Sequence, residues 1–331
     1  MTSRGIARCA VIGLIVLLAA ALGTPSDAAL VLKGGHTGTP KNMMHITLVK
    51  WADLVKERTK GAVVIEVYPS EQLGNERTLL ENANLGTIDW SVVGAGGAVR
   101  FAPPFGMFEN AYTFQSLKHF ENVAFNRAYM QQMSGLLEQK SNMVFGGLQW
   151  LGVRNVLARK PIKGPDDAKG LKLRVPDVPT FRVVAHAVGA IASPLPFGET
   201  YMALKQGVVD AVEGTPENMI NMKFFEAAKH YSLTSHMIQA AAVYLNKTSF
   251  NKMTPEQQKI VLDSGYEAWR WFFDQNEAVQ NDFLKKLEEA GVAIVRPAST
   301  EPFRLRAVEM LKEKYIPEWG KAWDEFSALA K

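Results

Sequence analysis

Residues 62–93 read AVVIEVYPSEQLGNERTLLENANLGTIDWSVV, and the periodicity of this stretch sets the fold class. Val63, Ile65 and Val67 alternate along a β-branched run from Ala62 to Tyr68, the pattern of a strand, and Pro69 stops it. Asn75 is suited to cap a helix that runs to about Leu85, with Gly86 as its terminator. Ile88 to Val93 then forms a compact apolar strand. Upstream, Leu30 to Lys33 reads as a short strand. Lys41 to Lys60 carries Ile46, Val49, Trp51, Leu54 and Val55 at helical spacing and ends at Gly61. Strand, helix, strand, helix, strand is the grammar of an α/β domain of the doubly wound kind.

The grammar resumes downstream. Met143 to Leu148 and Leu171 to Val175 read as strands, Phe197 to Gln206 as a helix, and Val208 to Val212 as a further strand, so a second α/β lobe is expected. Thr254, Pro255 and Gln257 compose a helix start with a capping box, and the helical pattern continues to about Ala290. At 1.5 Å per residue that is a helix of roughly 50 Å, long enough to bridge both lobes. Ala293 to Val295 supplies another strand. Pro302 to Lys331 is expected to finish helically, with Trp319, Trp323 and Phe326 as packing anchors. No linker separates the lobes, so the chain must cross between them more than once. The expected division is 29–151 plus 240–279 for the first lobe and 152–239 plus 280–331 for the second.

Composition narrows the function. The chain has 331 residues, 47% hydrophobic and 21% charged, an ordinary globular balance. Its 37 basic and 33 acidic residues leave +4, too even for a protein whose affinity comes from neutralising phosphates, so no nucleic-acid partner is expected. Arg4 and Arg8 precede an apolar run from Ala10 to Leu22, followed by Pro25, Ser26, Asp27 and Ala28. This reads as a secretory signal peptide over 1–28, cleaved after Ala28 or Ala29. The run of about 13 residues falls short of the about 20 needed to span a bilayer. Cys9 is the only cysteine and lies in the leader, so a disulfide framework and thiol catalysis are excluded from the mature chain. A periplasmic location is expected.

Catalytic and cofactor motifs are missing. None of the six histidines forms HExxH, and no GxSxG elbow or phosphate-binding loop occurs. Gly94, Ala95, Gly96 and Gly97 follow a strand, yet Val99 stands where a dinucleotide fingerprint needs its third glycine. These glycines fit a tight backbone approach or a flexible turn. No metal, cofactor or enzymatic activity is expected.

The segment that stands out runs Gly170, Leu171, Lys172, Leu173, Arg174, Val175, Pro176. Lys172 and Arg174 should share one face of a strand and Leu171 and Leu173 the buried opposite face. Pro176 places the Arg174 guanidinium at the carboxyl end of that strand, where open α/β sheets bind ligands. A planar, permanently charged fork there suits a carboxylate held through two parallel hydrogen bonds.

That segment, with the Tyr68 to Gly74 run (YPSEQLG) and Phe197 to Glu213 (FGETYMALKQGVVDAVE), closely resembles the solute-binding proteins of TRAP (tripartite ATP-independent periplasmic) transporters. The resemblance covers nearly the whole chain from about Leu30. It implies a two-lobed periplasmic binding protein of the type II-like, Venus-flytrap kind. Such a protein captures an organic acid between its lobes and hands it to a permease with a large and a small membrane subunit, driven by an ion gradient. It also implies that Arg174 is the carboxylate clamp, that Arg154 assists it, and that Phe197 is a cleft aromatic with Glu199 and Tyr201 on the helix beside it. Glu213 and the residue after it belong to the same set; that next position is Gly214 where many members carry a ligand-contacting asparagine. Gly94 replaces a glutamate of the sialic-acid binders, which argues against sialic acid. Trp150, like Trp90 and Tyr201, is a candidate wall or core residue, and Glu76 and His36 complete the candidate contacts. A sugar acid or uronate is favoured, with dicarboxylates and aromatic acids also open, and a monomer is expected. The alternatives are a secreted enzyme using Glu199 or Glu213 as general base, and a sensory module built on the same cleft.

Overall fold

The computed structural model describes residues 28–331; the expected leader, apart from Ala28, lies outside them. Nine strands form one continuous sheet. They are β1 (Leu30–Gly35), β2 (Val63–Tyr68), β3 (Trp90–Gly94), β4 (Met143–Ala158), β5 (Lys172–Val175), β6 (Ile191–Pro194), β7 (Ala211–Gly214), β8 (His230–Asn246) and β9 (Ala293–Val295). The order is β2-β1-β3-β8-β4-β7-β5-β6, with β9 on the free edge of β8.

Two strands make one sheet into two lobes. β4 and β8 run antiparallel along nearly their full lengths, 16 and 17 residues. The last turns of β8 and the first of β4 pair within the first half, beside β3, β1 and β2. The opposite ends pair with β7 and β9 in the second half. Between the halves the register slips three times, at Phe145/Leu148, Trp150/Gly152 and Arg154/Val156. Such bulges bend and twist a strand. Gly152, paired with Gln239 at the middle slip, has φ +119, and a Cβ there would come within 2.9 Å of Thr215 Cγ2. Only glycine fits that crossover.

Within each half, parallel pairs (β1 with β2 and β3; β5 with β6 and β7) confirm the α/β grammar. The caps follow the sequence. Asn75 accepts from Thr78 N–H, Gly86 ends that helix in the left-handed region, and Thr254 and Gln257 close a capping box.

The structure departs from the sequence reading in three places. β8 reads as no strand at all in sequence, because the Ala240–Ala242 run breaks its alternation. The helix expected to run unbroken from Thr254 to Ala290 is two, Pro255–Phe273 and Asn276–Glu289. At the break Asn276 Nδ2 donates to Phe273 O (2.6 Å) and Gln275 Nε2 to Trp271 O (2.8 Å), side-chain amides taking carbonyls near the end of the first helix. The first piece packs on Met43–Arg58 in the first half, with Trp269 against Trp51, and the second on Pro216–Asn221 in the second half. The pair still bridges the lobes. Third, the terminal helix Lys321–Ala328, assigned to the second lobe, lies on the first: the Phe326 ring meets His119, Phe114 and Phe108, and its carbonyl bonds the His119 ring.

Candidate functional site

A cleft between the halves holds two connected chambers. The outer one, about 660 Å³, is walled by Glu76 and Arg77 of the Glu76–Leu85 helix, by the 176–180 and 194–197 loops, and by Trp319. The inner one, about 60 Å³, reaches the hinge and is lined by Gly94, Glu109, Arg154, Thr215, Glu217 and Gln239, among others. Arg174, Glu76, Phe197, Val93 and Pro176 border both.

Arg174 stands at that junction. β5 ends at Val175, as Pro176 requires, and the side chain is 2% exposed. Its Nε and Nη2 donate to one carbonyl, Leu195 O, at 3.0 and 2.6 Å, and no carboxylate lies within salt-bridge distance among the described residues. The guanidinium lies 5.7 Å from the Phe197 ring centroid. Burial lowers its pKa to about 10, with neighbouring Glu213 opposing the shift, so it remains a cation at neutral pH. A buried cation without its own counter-ion is an unmet demand for an anion.

Arg154 is committed elsewhere. From the middle of β4 it grips Glu213 of β7 with Nε (2.5 Å) and Nη2, and Nη2 also reaches Glu213 O at 3.2 Å. His236 Nε2 meets the same carboxylate at 3.2 Å, while its Nδ1 is 2.8 Å from Thr234 Oγ1. All three side chains are buried. Burial pushes the Glu213 carboxyl up, but Arg154 and His236 outweigh it and hold the group well below the usual carboxylate range. An ionised, saturated carboxylate is a poor general base. The other candidate base, Glu199, is exposed and lines neither chamber.

The remaining candidates divide. Glu76 borders both chambers and accepts from Gly94 N–H at 3.3 Å. Tyr201 turns outward to Glu226 (2.6 Å). Trp150 is packed at 5.3 Å from Phe272, and Trp90 is buried against Trp51, so both are core. His36 is buried beside His45 (3.0 Å) and takes the Gly38 N–H; burial lowers its pKa to about 3, and it supports the Thr37–Gly38 loop without lining a chamber. Gly214 also stays behind the wall: a Cβ there would come within 2.8 Å of Met219 Cε. The polar groups facing the inner chamber near it are Thr215, Glu217 and Asn218.

Sequence reading missed Glu109 and Glu217. Glu217 spans the cleft: its Oε1 accepts from Met43 N–H of the opposite lobe at 2.7 Å, beside Asn42 Nδ2 to Asn218 Oδ1 at 3.5 Å. Arg77 and Asp177 approach to 3.8 Å at the outer mouth. The lobes touch in this arrangement.

Over residues 34–318 the chain matches the family described as bacterial extracellular solute-binding protein, family 7. It belongs to that family. The 2,3-diketo-L-gulonate-binding periplasmic protein of Escherichia coli is 28% identical over 312 residues, 94% of each chain. The C4-dicarboxylate-binding periplasmic protein of Rhodobacter capsulatus is 30% identical, covering 93% of this chain and 87% of that one. A TRAP periplasmic solute-binding protein from Ochrobacterium anthropi, solved with bound L-fuconate, superposes with a TM-score of 0.85 at 27% identity over 92% of this chain and all (100%) of that one. The chain is thus a periplasmic solute-binding protein of the TRAP transport type, a binding component and a two-lobed one. Among the described residues no helix is long and apolar enough to cross a membrane.

Proposed function

We propose that this protein captures an organic acid in the interlobe cleft, clamps its carboxylate with Arg174, and delivers it chemically unchanged to the large and small membrane subunits of a TRAP permease. The observation that carries this reading is the Arg174 guanidinium, buried at the junction of the two chambers and bonded only to Leu195 O. A charge-assisted hydrogen bond contributes about 1.5–3 kcal/mol net, so two of them offset much of the cost of association. Phe197 closes one side of the clamp and Glu76 faces it from the other lobe.

The ligand class favoured is a hydroxylated monocarboxylate such as a sugar acid. One free cation suits one carboxylate, and the inner chamber is rich in polar side chains that can meet hydroxyls. The L-fuconate and 2,3-diketo-L-gulonate of the relatives are acids of this kind. The lobes are residues 29–151 with 240–274 and 321–331, and 152–239 with 275–320, hinged at Gly152/Gln239; the protein acts as a monomer. A ligand touching both lobes favours the closed form by its differential affinity. A thermal-shift screen of organic acids, followed by calorimetry on Arg174→Ala, tests the reading. An acid that binds the variant as tightly as the wild type would remove Arg174 from the clamp.

A further inference from the structure

Glu109 lies in an irregular segment 15 residues beyond the end of β3, is 2% exposed, and lines the inner chamber. Its carboxyl occupies the space above the bare Cα of Gly94: a Cβ at position 94 would fall 2.4 and 2.5 Å from the two carboxyl oxygens. Gly94 therefore leaves no polar gap in the wall, because a carboxyl from another part of the chain fills it. Oε2 accepts the Gly96 N–H at 2.9 Å, and no other hydrogen bond or ion pair engages this carboxyl among the described residues. Glu213, by contrast, has two partners of its own.

We propose that Glu109 is a specificity-determining contact that donates a hydrogen bond to a hydroxyl or keto oxygen of the acid clamped by Arg174. The proposal rests on the acid-capture reading above and adds the group that reads the ligand's oxygen substituents. A carboxyl can donate only when protonated. Burial, reinforced by the Glu76 carboxylate, raises the Glu109 pKa to about 8 against the pull of Arg154 and the Gly96 N–H. The other groups bearing on it are the Arg154–Glu213–His236 cluster of β4, β7 and β8, Arg174 of β5, and Tyr244, whose hydroxyl is spent on Ala95 O. Thr180 Oγ1, buried without a partner, approaches the same Gly96 from the other lobe. Glu217 shares the chamber and titrates lower, at about 7.

The test uses the mature protein in a Glu217→Gln background, so that one titrating carboxyl remains, with 2-hydroxy, 2-oxo and sugar acids as probes and hexanoate as the unsubstituted control. The affinity of the tightest probe is expected to hold to about pH 7 and to weaken towards tenfold per unit above about pH 8. Glu109→Gln, which keeps a donor, should bind at all pH values from 6 to 9 without that decline. Glu109→Ala should cost at least tenfold throughout, while hexanoate responds to neither change. An affinity that is flat or rises between pH 7 and 9 before substitution, or that survives Glu109→Ala, overturns the proposal. If those outcomes appear while Arg174→Ala still abolishes binding, the clamp stands and only the role of Glu109 falls. If no probe binds at all, the acid-capture reading falls and this proposal with it.

Discussion

Two buried arginines, twenty residues apart in sequence, face the same cleft from strands of the second lobe that flank β7, and their surroundings differ. Arg154, in the middle of a long strand, is held bidentately by Glu213, which His236 also touches. Arg174, at the end of a four-residue strand, is held only by Leu195 O. The same side chain is thus paired with a carboxylate in one place and left without one in the other. Burial alone does not distinguish them; the counter-ion does.

The largest expected effect comes from removing the open charge. Arg174→Ala should weaken acid binding by about 100-fold or more, from the loss of two bonds of about 1.5–3 kcal/mol each, and leave the unliganded melting profile nearly unaltered. Calorimetry and thermal unfolding on the same sample check both halves. The contrast breaks if the unliganded protein melts far lower.

Next comes the tied pair. Glu213→Ala leaves Arg154 buried and uncompensated, a loss of about 3–5 kcal/mol in unfolding free energy by urea titration. The double substitution Arg154→Met, Glu213→Leu should lose less than the single one. If the double variant binds acid as poorly as Arg174→Ala does, Arg154 is a second clamp and the contrast dissolves.

The acid limb of stability sharpens it further. Because the Glu213 pKa is depressed in the folded protein, its stabilisation is fully present above the ordinary value of 4.5 and is lost as pH falls through the depressed value. Unfolding free energy measured downward from pH 5 should therefore drop less steeply in a Glu213→Gln variant than in the wild type.

The smallest effect concerns the lobe contact. Burial raises Glu217 to about 7, so its contribution to the closed arrangement is present below 4.5 and is lost as pH rises through 7. Closure followed by small-angle scattering should weaken mildly from pH 6 to 8 and become pH-independent in Glu217→Gln.

The place of Arg174 was legible because its signals are local: alternation set its face, and Pro176 fixed its position near a strand end. Phe197 came with the family resemblance, and both it and the candidate Glu76 border the cleft. Glu199 and Tyr201 came the same way but point outward, since the helix beside Phe197 turns its polar face to solvent. Glu109 had no readable signal, because its meaning depends on Gly94, on a different element, leaving room for it. The long helix failed for a related reason: Asn276 fits the helical pattern, yet its amide takes the Phe273 carbonyl instead.

Sequence by itself determined the α/β grammar, the caps, and the charge offered at the end of β5, because periodicity, turn chemistry and the fixed charge of arginine act within a few residues. Only the tertiary structure decided which arginine is free, which carboxyl fills the wall over Gly94, and which lobe the last helix joins. Those outcomes depend on partners brought together from distant positions, where burial and the competition for a counter-ion set the energy of each side chain.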